Sequence, residues 1–594
     1  MTATTLEDVA WDLDPLVDGE GEAGVDRLLG KADERAAAFS REYAGKVAQL
    51  DGPGLARAVA ELAAIVEQVG RAGSYAGLRF AVDTQDPANG ALLARVQEKG
   101  TAIETKLLFF ELEWAAVDDD RADELIAAEG LENARHHLRT IRRYRPHLLS
   151  EPEEKLMAEK AMTGREAWAR LFTEQTGAVR VRLPDEDEPV QLEVALSRLQ
   201  SPDRDSRRTA AMAVSEALEP GLRTRGYILN TLLQDKAVDD RLRRYPTWIS
   251  SRNLANEASD ESVQALVEAV RESYDLPQRW YALKARLLGL DRLADYDRVA
   301  PLADEEVTVG WGEATELVLD TYGAFSPVMG TGARRFFDER WIDAPVRPGK
   351  RGGAFCSYTV PSVHPYVLLN FTSRRRDVLT LAHELGHGLH AYLARDRGVF
   401  EQGTPLTVSE TASVFGEALV FGRLLEAARE PRSRLALLAE HLEGSIATVF
   451  RQVAMNRFED LAHTARRQEG ELSVDRIGEV WYESQAEMLG DAVEITDGYR
   501  TWWSYVPHFV HTPGYVYAYA YGQLLALSVY RRYVEEGEAF VPRYLEMLAA
   551  GGSRSPEDLA AIAGLDLADP GFWRQGLGLV REQLEAAEEA AAAL

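Results

Sequence analysis

The chain has 594 residues, 46% of them hydrophobic, which is ample for a large buried core. Its 96 acidic residues outnumber 67 basic ones, for a formal net charge of −29, and this disfavours nucleic acid and anionic membranes, both of which demand basic patches. A single cysteine, Cys356, excludes an intramolecular disulfide framework and leaves too few thiols for a cysteine-based zinc site. The opening stretch MTATTLEDVAWDLDPL has neither the basic nor the apolar region of a secretory signal. No segment approaches the roughly 18 uninterrupted apolar residues of a membrane span, so a cytoplasmic protein is expected.

Apolar residues at three- and four-residue spacing predict amphipathic helices over 24–48, 53–72 and 86–116. ELIAAEGLENARHHLRTIRRYRP continues the pattern as far as Pro146. His136, His137 and His147 stand among arginines with no partner at ligand spacing, so they read as surface residues. GAVRVRLPDEDEPVQLEVAL switches to alternation about an acidic turn and predicts a β-hairpin near 178–196. Helix returns over 203–239, 259–290 and 310–325. From Pro345 to Thr372 the chain is rich in glycine and proline and then offers YVLLNF as a short strand. After Arg376 it reads as helix almost to the end, with a frayed Ala/Glu-rich tail at 586–594. The fold class expected is mainly α with a small β element, arranged as an N-terminal helical domain over 1–200 and a second domain over 201–585.

The chemistry is concentrated in DVLTLAHELGHGLHAYL, with Asp377 as an N-cap. His383 and His387 are four apart, so on a helix both imidazoles face one Zn²⁺, and Glu384 lies beside them as a general base. A catalytic zinc needs a third protein ligand. Positions 390 and 393 are His390 and Leu393, so the metzincin spacing is absent and the ligand comes from elsewhere. TPLTVSETASVFGEALVFGRLLEAA reads as one helix on which Glu410 and Glu417 share a face among small and apolar residues. Glu410 is assigned as the third ligand and Glu417 as the carboxylate behind a ligand, against the alternative of two exposed helix carboxylates. Gly386 and Gly388 each cost about 1 kcal/mol in a helix. They clear the metal face for a neighbouring backbone or a peptide. His390 either orients a ligand or fills the core.

TLAHELGHGLH followed by SETASVFGE resembles the thimet oligopeptidase and oligoendopeptidase F family of zinc metallopeptidases. GKRGGAFCSY, HPYVLLNF, VPHFVHTPGYVYAYAYG and WDLDPL are similar to the oligoendopeptidase F branch. The resemblance implies a helical ellipsoid with a deep substrate channel, one Zn²⁺ per chain held by His383, His387 and Glu410, Glu384 as general base, and short unstructured peptides as substrates. It makes 201–585 a zinc metallopeptidase domain. In the family a histidine and tyrosines near the C-terminus assist the reacting carbonyl. Here the alignment is open by one residue, and Tyr515 and Tyr519 share a helical face nearly opposite that of Tyr517 and Tyr521. The assignment is His511, Tyr515 and Tyr519 as catalytic, with His508, Tyr517, Gly352 and Gly353 on the substrate. YVLLNF is expected as an exposed edge that pairs with an extended peptide, and GKRGGA either as a closing loop or as a simple turn. The reading is a cytoplasmic zinc endopeptidase, monomer or homodimer, that binds neither nucleic acid nor membrane. The alternative is a non-catalytic peptide-binding helical protein with a degenerate zinc site.

Overall fold

A computed structural model describes residues 5–302 and 308–594. The part of the N-terminal reading that falls on residues 1–4 lies outside the described residues. The protein is predominantly α-helical with small β elements. Its chain divides into two compact units. Unit 1 gathers Met1–Arg145, Glu306–Arg423 and Val529–Asp566, and unit 2 gathers Pro146–Glu305, Leu424–Ser528 and Leu567–Leu594. Each unit collects three stretches far apart in sequence. Composition along a linear chain carries no trace of such returns.

Unit 1 opens with three mutually packed helices: α1 Gly21–Tyr43, α2 Gly52–Val82 and α3 Pro87–Ala116. Asp51 caps α2 through the Gly54 N–H at 2.8 Å, and Asp86 caps α3 through Ala88 at 2.9 Å; in both, proline follows near the first helical position. Helices α4 (Trp311–Phe325) and α5 (Pro327–Asp338) precede a three-stranded sheet of β1 Ile342–Pro345, β2 Phe355–Ser357 and β3 Tyr366–Phe371. β3 lies in the centre, parallel to β1 and antiparallel to β2. YVLLNF is therefore not an edge. Its burial on both faces and its continuous apolar run are those of a central strand. The WDLDPL segment covers the sheet: the Trp11 ring meets Tyr366 edge-on at 5.9 Å, and the Tyr366 hydroxyl donates to the Asp12 carbonyl at 2.7 Å.

Helix α6, Arg375–Ala394, starts four residues after β3 and packs against α4 and α5. Asp377 is not its N-cap. It is the third helical residue, and its carboxylate reaches back to the backbone N–H groups of Arg374 (3.0 Å) and Thr372 (2.7 Å). The stretch expected as one helix around Glu410 is instead a short turn, Leu406–Ser409, a break, and then α7, Ser413–Ala427.

Unit 2 is a set of packed helices with a short antiparallel hairpin, Arg180–Val181 against Val190–Gln191, where alternation predicted it. Leu192–Ser197, the last part of that stretch, is helical. The expected helix over 203–239 breaks at Glu219–Gly221, which contains Pro220, and that over 259–290 breaks between Glu272 and Asp275. Residues 586–592 belong to the helix Pro570–Ala592, with Ala587 and Ala590 buried. The core holds Phe458, Trp481, Tyr499, Trp502 and Trp503. A buried Asp297 ties its edge together. It accepts from Arg204 and Arg207, each at 2.9 Å, and from the Ala294 N–H at 2.9 Å.

Arg207 is itself only 2% exposed, so the loss of Asp297 strands a buried cation. Asp297→Ala is expected to destabilise the protein by about 3–5 kcal/mol in chemical denaturation. A change near zero would mean that Arg207 finds water or another acceptor.

Candidate metal centre

Helix α6 places His383 and His387 one turn apart, with ring centroids 5.0 Å from each other. Glu410, in the break before α7, lies 3.3 Å from His383 Nε2 and 3.5 Å from His387 Nε2 through its Oε2. One donor atom from each of the three lies within 4.8 Å of the others. The cluster is partly buried. His383 Nδ1 meets Glu417 Oε2 at 3.1 Å, so Glu417 fixes the ring and leaves Nε2 turned to the cluster. Ser413 Oγ donates to Glu410 Oε2 at 2.7 Å. Two imidazole nitrogens and a carboxylate oxygen, one imidazole braced by a second carboxylate, form a donor set suited to a divalent cation such as zinc. The ionisation of these groups points the same way. Burial pulls the Glu410 carboxyl up, but hydrogen bonds from His383 and His387 outweigh it and hold the group far below the usual carboxylate range. Burial likewise pulls His383 down, and Glu410 and Glu417 raise it well above the ordinary imidazole value. The cluster thus draws positive charge to the point between its three donors.

The glycines explain the approach. A Cβ on Gly386 would lie 2.5 Å from the Ala412 carbonyl oxygen and 2.6 Å from Ser413 Cα, so a side chain there would push away the segment that carries Glu410. A Cβ on Gly388 would lie 2.5 Å from the Phe336 ring. Both notches are filled by the protein's own atoms, the first by backbone as expected and neither by space for a peptide.

Glu384 is 7% exposed. Burial raises its carboxyl, partly offset by His383 and His387 and by a hydrogen bond from the Cys356 N–H of β2. Tyr358, just beyond β2, brings its hydroxyl to 3.5 Å from His387 Nδ1. Cys356 and Tyr358 stand in GGAFCSY, a stretch whose sequence alone assigns them no such contacts. Their nearness depends on how β2 pairs with β3, which no local pattern reveals. His390 is buried, its Nδ1 has no hydrogen-bond partner, and burial pushes it down to about 3, so it is a neutral core residue. Gly352 and Gly353 are exposed in the loop before β2, and Asn370 holds that loop by donating to the carbonyls of Arg351 (2.9 Å) and Gly353 (2.7 Å).

The C-terminal aromatic segment lies in unit 2, where Tyr515 precedes the helix Tyr517–Glu536 that carries Tyr517, Tyr519 and Tyr521. Tyr515 and Tyr519, both half-buried, meet edge-on at 5.0 Å, and His508 stacks on Tyr515 at 6.0 Å with its Nε2 3.5 Å from the Tyr519 hydroxyl. Tyr517 and Tyr521 are fully buried. The Tyr517 hydroxyl accepts from Asn256 at 3.0 Å, and the Tyr521 ring packs on Trp573 at 4.6 Å. Tyr517 is therefore core, not a substrate contact. His511 does not join the Tyr515–Tyr519 group: its ring faces Thr173 at 3.1 Å and Phe172. His508 takes that place, because the short turn His508–His511 aims the two histidines apart.

The sequence pattern of peptidase family M3 matches residues 197–579, and that described as oligopeptidase F matches residues 113–180. Oligopeptidase PepF of Bacillus subtilis is 28% identical over 556 residues, 92% of this chain and 82% of its own. A crystal structure from Chlamydophila abortus superposes with a TM-score of 0.88 at 22% identity, covering 100% of this chain and 99% of that one. Oligoendopeptidase F from Enterococcus faecium superposes at 0.73 with 23% identity, over 97% and 100% of the two chains. The two crystal structures share the fold. The cluster and the fold are those of a metal-dependent peptidase. The chain belongs to peptidase family M3. Among the described residues no helix is long and apolar enough to cross a membrane.

The entry to the aromatic segment is set by Gly514, which has φ +74° and is packed against Trp248, Ile249 and Arg252, each 3.4 Å from where a Cβ would stand. Buried Glu459 accepts the Gly514 N–H at 2.8 Å, and burial pushes its carboxyl up to about 8, with that hydrogen bond and Arg252 opposing. The folded state therefore holds a proton that the unfolded state, near the ordinary 4.5, has lost. Its stability contribution is full below the unfolded value and disappears as pH rises through the folded one. From about pH 5 to pH 9, wild type should lose at least about 1 kcal/mol of stability that Glu459→Gln keeps. Parallel pH profiles of the two proteins would refute this.

Proposed function

We infer that the protein is a zinc endopeptidase that hydrolyses short, unstructured peptides. The observation that carries this reading is the convergence of His383, His387 and Glu410 within 4.8 Å beside the buried carboxylate of Glu384. Those three residues would hold zinc, with Glu417 orienting His383, and the ion would supply a water of lowered pKa and a Lewis acid for the carbonyl oxygen. Glu384 takes the proton of the attacking water on its carboxylate and passes it to the leaving amine nitrogen. Its raised affinity for a proton suits both steps. Tyr358 steadies the far side of the His387 ring. By the family resemblance alone, Tyr519 and Tyr515, grouped with His508, are the candidates to donate to the reacting carbonyl oxygen as charge develops on it. The exposed Gly352–Gly353 turn contacts the bound peptide. Membership of family M3 and a relative named for oligopeptide cleavage support short peptides as substrates. A catalytic region over 201–585, preceded by a helical region over 1–200, remains our division by function. The acidic balance supports a soluble, cytoplasmic protein that works as a monomer or homodimer without nucleic acid or membrane.

Glu384→Gln should retain close to one zinc per chain and cleave a quenched short peptide about 10²–10⁴ times more slowly. Unchanged turnover would remove Glu384 from the proton path, and absence of zinc from both proteins would leave the non-catalytic peptide binder as the reading. Among the tyrosines, Tyr519→Phe should lower kcat by about 10²–10³ with little change in KM or Tm. Tyr517→Phe and Tyr521→Phe should leave kcat near wild type. If only the buried pair affects kcat, the oxyanion donors lie on the other face.

A further inference from the structure

One buried phenol touches both halves of the metal centre from behind. Tyr322, on α4, is fully buried, and its hydroxyl donates to the Ala382 carbonyl of α6 at 2.6 Å. Ala382 directly precedes His383. The same oxygen fills a notch in α7: a Cβ on Gly416 would overlap it, and would lie 2.8 Å from Tyr322 Cζ. Gly416 directly precedes Glu417, which braces His383 Nδ1 at 3.1 Å. The phenol oxygen therefore sits where α6 and α7 approach, against the residue before a ligand on one helix and the residue before its carboxylate brace on the other.

A mid-helix carbonyl already accepts a bond from the residue four positions on. Ala382 O is thus doubly engaged, and the second bond is not needed to satisfy it. Its effect is positional. It fixes the height and rotation of α6 against α4, while Gly416 lets α7 close on the same oxygen. Burial raises the Tyr322 phenol, with the Glu417 charge adding to it, so the group stays a donor at all working pH values. A neighbouring tyrosine supplies a contrast. Tyr544, stacked on Phe415 at 4.2 Å, is also fully buried, but its hydroxyl has no hydrogen-bond partner.

We propose that Tyr322 is a positioning residue for the metal centre: its hydroxyl, seated in the Gly416 notch, sets the spacing of His383 and Glu417 and so tunes metal affinity. The proposal rests on the reading that His383, His387 and Glu410 bind zinc. It acts through those residues, not on substrate, so it predicts a change in zinc binding that a packing role would not produce. Removing a group that orients metal ligands typically weakens metal binding by 10–100-fold.

The test is competition between the full-length apoprotein and a chromophoric zinc chelator. Tyr322→Phe keeps the ring and removes the hydroxyl; it should bind zinc at least about tenfold more weakly than wild type. Once saturated with zinc it should recover most of its kcat, because the cluster itself is intact. Tyr544→Phe should bind zinc as wild type does. Gly416→Ala, which displaces the phenol, should show the Tyr322→Phe defect if it folds, and Tyr322→Phe decides the matter if it does not. His383→Ala separates the two readings. If it loses tight zinc binding while Tyr322→Phe binds normally, the Tyr322 proposal falls and the metal centre stands. If His383→Ala still binds zinc tightly, both fall. Equal weakening by Tyr322→Phe and Tyr544→Phe would overturn the proposal in favour of general core packing.

Discussion

The metal centre depends on one close approach, that of the Ala412–Ser413 backbone to the bare Cα of Gly386. Two histidines four apart on α6 supply two donors by helical geometry alone. The third cannot come from the same helix face without displacing them. It comes from a separate segment whose backbone must lie almost against α6, because a glutamate side chain reaches only a few ångströms. Gly386 makes that possible. Its roughly 1 kcal/mol cost to helix stability is small beside the cost of a buried carboxylate without a partner. The break in helix around Glu410 belongs to the same constraint. It turns Glu410 inward, and Ser413, the first residue of α7, anchors the carboxylate oxygen.

The region around the cluster is ordered outward from the donors. Glu410 contributes its oxygen directly, Glu417 acts one atom away on His383 Nδ1, and Tyr358 approaches His387 Nδ1. Each histidine thus has its second nitrogen engaged, which fixes which lone pair faces the metal. Glu384 differs in kind. Burial favours its protonated form, whereas Glu410 is held as the anion by the imidazoles. Two neighbouring glutamates are thus held in opposite states by their surroundings, one pushed toward the proton and one toward the anion.

What could be read in the sequence divides along the range of the interactions. The His383–Glu384–His387 triplet was legible because its geometry is set within one helical turn. So were the α1–α3 helices and the short hairpin, each a consequence of a local period. Glu410 was legible as a residue type but not in its setting, since nothing local says that the helix must stop at Ser409. The edge reading of YVLLNF failed because a strand's place in its sheet depends on β1 and β2, which lie 9–29 positions away at their nearest and furthest residues. His511 was favoured over His508 because both sit in one short motif. Only the turn they occupy decides which ring joins the tyrosines. Tyr322 gave no signal at all: it is one tyrosine in an ordinary amphipathic helix, 60 residues from the carbonyl it bonds.

His387 and Glu417, a donor and the brace of the other histidine, are each directly preceded by a glycine that admits a neighbour. Gly386 precedes His387 and admits the Glu410 segment; Gly416 precedes Glu417 and admits Tyr322. The pattern has a geometric cause. On a helix, adjacent residues point about 100° apart, so a residue beside a ligand faces the flank of the metal face, where the next element must pack. If the metal face is to be closed by other helices at short range, those flanking positions have to be small. Side chains there would widen the helix spacing beyond the reach of a carboxylate. The motif's small residues and its ligands are thus two parts of one requirement: the donors define where charge is held, and the glycines define how near the rest of the fold can come to hold it.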